Sequence, residues 1–158
     1  MGKGLMSTEP AGPERPCLPH ETVAALEILR LFCFSYARPE NQTWELAMET
    51  AERTFGPMQG WAVARCVLRV LKVLRLSRTT AIDFMNPFCK CCRNRRSADE
   101  QRFVQLLGLA KQGRSQGAQA EALILCEGSD PQPLLVEVDR LAGLLFSKAQ
   151  PSKRMVFR

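Results

Sequence analysis

The sequence predicts an all-α fold: one helical bundle of about five or six helices, interrupted by an irregular Cys-rich basic loop. Three observations carry this. Apolar residues recur at helical spacing in one segment after another. The apolar content is mostly Leu, Ala and Val, and aromatics make up only 7%, a balance that favours helix over sheet. Proline and glycine signals fall between the periodic segments, at Pro39, Gly56-Pro57, Asn86-Pro87, Gly113 and Gly117. With 158 residues the chain fits one domain and can bury a core without disulfides or metals as obligatory staples.

Residues 1–19 carry four of the ten prolines and read as an N-terminal tail. The first helix is expected from His20 or Glu21, with Val23, Leu26, Leu29, Phe32, Cys33 and Tyr36 at helical spacing, and it ends before Pro39. Asn41 or Thr43 can cap a second helix reaching Phe55. Its apolar face is Trp44, Ala47, Met48, Ala51 and Phe55. A third helix follows from Met58 or Gly60 to Leu76 or Ser77. It is apolar around most of its circumference, which places it at the centre of the bundle.

Thr79 to Arg96 is irregular, with a possible short extended stretch over residues 81–85. Ser97 and Glu100 form a capping-box pattern that opens a fourth helix through Phe103, Leu106, Leu107 and Ala110. A fifth helix is expected over Ala118 to Cys126. A sixth carries Leu134, Leu135, Val138, Leu141, Leu144 and Leu145. The helical domain spans 20–148, and residues 149–158 read as a flexible basic tail.

Charge is uneven. Between Gly60 and Arg96 stand nine basic residues opposed by Asp83 alone, a local charge of +8, whereas the rest of the chain is −2. Such a segment points to an anionic partner, either nucleic acid or an acidic protein surface. Two clusters lie within it. The third helix carries Arg65, Arg69 and Lys72 within about 60° of one another, with Arg75 and Arg78 drifting away. Glu45, Glu49 and Glu52 of the second helix would face this stripe if the two helices form an antiparallel hairpin turning about Gly56–Gly60. That register pairs Glu52 with Arg65, Glu49 with Arg69 and Glu45 with Lys72. The other cluster is Lys90, Arg93, Arg95 and Arg96, just before a helix start, where cations and helix-terminal amides together suit an anion. It is less exposed to internal pairing and is expected to carry most of any anion binding. The anion-binding candidates are therefore Lys90, Arg93, Arg95, Arg96, Arg75 and Arg78.

Seven cysteines and no apolar leader argue against a disulfide framework. Cys33 and Cys66 sit in apolar helical patterns and read as core residues. Cys89 and Cys92 form a C-x-x-C in a turn, a spacing that lets two thiolates converge on a Zn²⁺ ion. Completing a site needs further ligands, and Cys17, His20 (the single histidine) and Cys126 are the candidates. A redox reading competes. The neighbouring cations and the amino end of the fourth helix favour thiolate, although no thioredoxin-like alternation of strands and helices is present.

No G-x-S-x-G, P-loop, G-x-G-x-x-G or H-E-x-x-H occurs. No run approaches the roughly 18 apolar residues of a membrane span. No known family is recognisable in the sequence. The expectation is a cytoplasmic, non-enzymatic regulatory or adaptor protein that binds its anionic partner through residues 60–96, with no small-molecule substrate. The alternative is a Zn-binding or thiol redox-sensing protein centred on Cys89 and Cys92.

Overall fold

The computed structural model describes residues 17–147. Most of the two expected tails, 1–16 and 148–158, lies outside the described residues. Within them the chain is all-helical: α1 (His20–Ala37), a short 3-10 turn (Pro39–Asn41), α2 (Trp44–Phe55), α3 (Pro57–Ser77), α4 (Ala98–Lys111), α5 (Ser115–Leu125) and α6 (Gln132–Phe146). α3 packs on α1, α2 and α6, while α4 joins α5 and α6. One core runs through all six helices, with Ile28, Leu29, Val67, Leu71, Phe103, Leu107, Leu125, Leu134 and Leu141 sealed inside. Burying each such aliphatic side chain stabilises the fold by about 1.5–3 kcal/mol before the entropy of ordering is subtracted.

α3 is central in packing, lying against α1, α2 and α6, while α1 is the more completely buried helix. Its buried residues include Leu26, Ile28, Leu29, Arg30, Leu31 and Phe32, which together cover most of its circumference. α3 turns Val63, Ala64, Val67, Val70, Leu71 and Leu74 inward but leaves Trp61, Leu68 and Leu76 in solvent. That exposed apolar part of α3 shares a face with its cations.

α2 and α3 do form an antiparallel hairpin, but a tighter one than expected. Gly56 alone joins them, at φ +85°, ending α2 while Pro57 opens α3. The positive φ suits glycine, and proline at the first helical position needs no N–H there. Gly60 then lies against the α2 backbone so closely that a Cβ on it would stand 2.6 Å from the Ala51 carbonyl oxygen. Glu52 is therefore level with Gly60 and Trp61 rather than with Arg65. Thr43 precedes α2 but its hydroxyl does not cap it. The side chain is buried and donates to the Leu31 carbonyl at 3.0 Å, tying the start of α2 to α1.

The capping box at Ser97 is present: its hydroxyl accepts from the Glu100 amide at 3.1 Å, and the Glu100 carboxylate accepts from the Ser97 amide at 3.0 Å. No strand forms among the described residues. Over 81–85 the reason is local: the Asp83 and Met85 amides donate to the Asp99 and Glu100 carboxylates instead of to a partner strand.

Candidate functional site

The irregular segment between α3 and α4 is hung on two arginines. Arg30, buried in α1, donates from Nε to Glu100 Oε1 at 2.7 Å and from Nη2 to Oε2 at 3.0 Å. Its remaining protons reach the carbonyls of Arg93 at 3.3 Å and Arg95 at 2.6 Å. Both charged side chains are sealed, at 6% and 0% exposure. A buried charge must be paired and hydrogen-bonded to persist, and this one uses the loop's own backbone to finish its shell. Arg30 stood in an apolar helical pattern, and nothing local in the sequence marked it.

Arg78 is the second anchor. It ion-pairs with Asp99 at 3.0 Å and Glu127 at 3.6 Å, and donates to the Leu125 carbonyl at 2.9 Å. Glu127 also accepts from the amides and hydroxyls of Thr79 and Thr80. Those hydrogen bonds, the Thr80 hydroxyl foremost, hold its carboxyl down at about 2. The expectation that Arg78 binds an anionic partner is thus corrected. Its side chain is only 7% exposed and its charge is spent inside the molecule.

The cysteine turn lies between these anchors. The Cys89 amide donates to the Asn86 carbonyl at 3.3 Å, and the Cys92 amide to the Cys89 carbonyl at 3.2 Å. Phe88 packs edge-on against Phe34 of α1, with centroids 5.1 Å apart. Hydrogen bonding with the Cys92 thiol, then with the amides of Cys92 and Cys91, lowers the Cys89 pKa, and hydrogen bonding with Cys89 raises that of Cys92.

The wider metal set does not assemble. Cys126 is buried in the core beside Ser77, where burial pushes its thiol up. His20 is exposed at the first position of α1. Cys17 is exposed on the wall of a neighbouring cavity. Among the described residues no three His, Cys, Asp or Glu side chains stand together as metal ligands. Cys89 and Cys92 share one turn, and Cys17 lines a cavity with Pro87, Arg93 and Asn94, which flank that turn.

Lys90, Arg93 and Arg95 are exposed and make no ion pair among the described residues. Arg96 is half-buried and lines a cavity of about 610 Å³ with Leu18, Leu26, Arg30 and Arg93. Its Nη1 finds no hydrogen-bond partner among the described residues.

The expected pairing of the α3 stripe is not there. None of Arg65, Arg69 and Lys72 is ion-paired among the described residues. The tighter hairpin shifts the register, and Glu52 instead accepts from the Trp61 indole at 2.8 Å. Arg75 lies over the Tyr36 ring, 4.1 Å from its centroid, at the surface and without an ion-pair partner among the described residues.

Beside this stripe is a groove of about 360 Å³ between α1, α2 and α3, lined by Phe32, Tyr36, Trp44, Met48, Trp61 and Leu68. Trp44 is 49%, Trp61 60% and Tyr36 44% exposed. Both tryptophans and the single tyrosine of the chain meet here. Sequence reasoning placed Tyr36 and Trp44 on apolar faces of the first two helices, and Trp61 within a third helix apolar around most of its circumference. Helical periodicity shows which residues share a face, but not whether a neighbour covers it.

Comparison with known proteins gives no match: no family model, no curated protein and no solved structure matches this chain. No helix among the described residues is long and apolar enough to cross a membrane.

Proposed function

We propose that this protein is a non-enzymatic adaptor that binds an acidic amphipathic helix of a partner protein in the groove between α1, α2 and α3. The observation that carries this is the junction of an exposed aromatic groove with the unpaired cations Arg65, Arg69, Lys72 and Arg75 along one wall. Contiguous exposed apolar surface with a polar rim marks interaction sites, and Trp, Tyr and Arg dominate binding energetics. A helix laid in such a groove places apolar residues every three or four positions on Trp44, Trp61 and Leu68. Acidic residues along its flank then meet the α3 cations.

The same surface argues for protein over nucleic acid. The opposite wall is α2, whose exposed face bears Glu45, Glu49 and Glu52, and a polyphosphate would be repelled there. Lys90, Arg93 and Arg95 add a positive field that steers an acidic partner toward the molecule without contacting it.

The test uses the full chain and the intrinsic fluorescence of Trp44 and Trp61. Three probes are titrated: a synthetic Leu-striped helical peptide flanked by Glu, its Lys-flanked counterpart, and a single-stranded oligonucleotide. The Glu peptide should bind best. Trp61→Ala should weaken it by about tenfold or more, as loss of a hot-spot residue implies. Arg65→Glu with Lys72→Glu should weaken it further and flatten its salt dependence. Equal binding of the Glu and Lys peptides, or oligonucleotide binding that survives both variants while the Glu peptide does not bind, overturns the proposal. The latter result would favour a nucleic-acid partner held by Lys90, Arg93, Arg95 and Arg96, with the salt dependence of phosphate contacts.

A further inference from the structure

The geometry points to Cys89 and Cys92 as a redox-active dithiol that closes to an intramolecular disulfide when it meets a small dialkyl disulfide. This site is separate from the groove and does not depend on the function proposed for it.

Four observations bear on it. The Cys92 amide donates to the Cys89 carbonyl at 3.2 Å, which makes residues 89 and 92 the two ends of a turn. Turn ends lie within about 7 Å at Cα, and a disulfide requires about 4.4–6.8 Å. Hydrogen bonding with Cys92, its thiol first and its amide next, holds the Cys89 thiol below its ordinary pKa. Both cysteines are half-exposed, whereas Cys33 and Cys126 are buried. Finally, the turn is held on both sides. Phe88 sits on Phe34 before it, and the Arg93 and Arg95 carbonyls hang on Arg30 after it. Ring closure therefore draws on a turn already formed and leaves the helices in place.

The chemistry balances by thiol–disulfide exchange. The Cys89 thiolate attacks one sulfur of the dialkyl disulfide and expels the other as a thiolate, leaving a mixed disulfide on Cys89. Cys92, having given up its proton to solvent, attacks the Cys89 sulfur and expels the second small thiolate. Two protein thiols lose two electrons and two protons, and one small disulfide becomes two small thiols. Cys91 is exposed next to the pair, but it lies inside the turn rather than at its end. Cys17 is exposed and lines a cavity with Pro87, Arg93 and Asn94, and it shares no turn hydrogen bond with Cys89 or Cys92. Closure would stiffen the turn that carries Lys90, between two cysteines, and would remove two thiols from solvent.

Full-length protein is incubated with oxidised glutathione, digested and mapped by mass spectrometry, with circular dichroism recorded in parallel. The parent should lose two hydrogens and yield a Cys89–Cys92 cross-linked peptide while its helical signal is unchanged. Cys92→Ser should retain one glutathione on Cys89, formed about tenfold faster than on Cys17. Cys91→Ser should still close the ring, and Cys89→Ser should not. All three substitutions lie in a surface turn, and the circular dichroism of each variant checks that it is folded. A cross-link that joins Cys91 or Cys17 instead overturns the assignment. So does a parent protein that merely accumulates glutathione on several cysteines without closing a ring.

Discussion

Replacing Glu100 by Ala is the most informative perturbation of the fold. The carboxylate accepts from Arg30 Nε at 2.7 Å, Arg30 Nη2 at 3.0 Å, the Met85 amide at 3.0 Å and the Ser97 amide at 3.0 Å. Glu100→Ala removes all four and strands a guanidinium whose side chain is 6% exposed. With so little solvent to screen the charge, the full cost of breaking a buried pair applies, about 3–5 kcal/mol. A stranded guanidinium cannot escape by losing its proton, so Glu100→Ala belongs at the upper end of that range. Arg30→Met belongs at the lower end. There the carboxylate keeps the Met85 and Ser97 amides as donors. The double variant, Arg30→Met with Glu100→Met, should be less destabilised than the sum of its singles by at least about 1.5 kcal/mol, because no unpaired charge remains. Urea unfolding followed by circular dichroism measures all of these. If Glu100→Ala does not fold, Glu100→Gln keeps the shape and completes the cycle. Single variants within about 1 kcal/mol of the parent, or a strictly additive double, would refute the view that this pair suspends the loop.

Two further outcomes follow from local geometry. Gly60→Ala should destabilise the protein by about 1–3 kcal/mol, as overpacking does, even though alanine is the better helix former by about 1 kcal/mol. The new methyl would collide with the Ala51 backbone, and a thermal melt above that of the parent would exclude this packing. The acid limb of stability should depend on Glu127, whose folded pKa is depressed to about 2 from an ordinary 4.5. A depressed carboxylate contributes stability that is present above its unfolded pKa and is lost as pH falls through its folded one. The unfolding midpoint of Glu127→Gln should therefore vary less than that of the parent between pH 4.5 and about 2, and parallel curves would remove Glu127 as the cause.

The sequence by itself determined the elements. Helical spacing of Leu, Val and Ala, the Gly56-Pro57 break and the Ser97–Glu100 box are local signals, and helices form through local hydrogen bonds, so six helices were legible within a few residues of their observed ends. The local excess of positive charge and the C-x-x-C turn were legible for the same reason, since both are properties of contiguous chain. Tertiary structure alone decided which of these features are free to act. Arg75 and Arg78 stand three residues apart, yet Arg75 stays on the surface over Tyr36 while Arg78 is spent on Asp99 and Glu127. Nothing local in the sequence marked Arg30, and its partner Glu100 lies 70 residues away. Trp44 and Trp61 read as core because periodicity assigns a residue to a face, whereas burial depends on whether another helix covers that face. The register of the α2–α3 hairpin was settled by the close approach of Gly60 to Ala51. That contact moved Glu52 away from Arg65 and onto Trp61, and left the α3 cations beside an open aromatic groove.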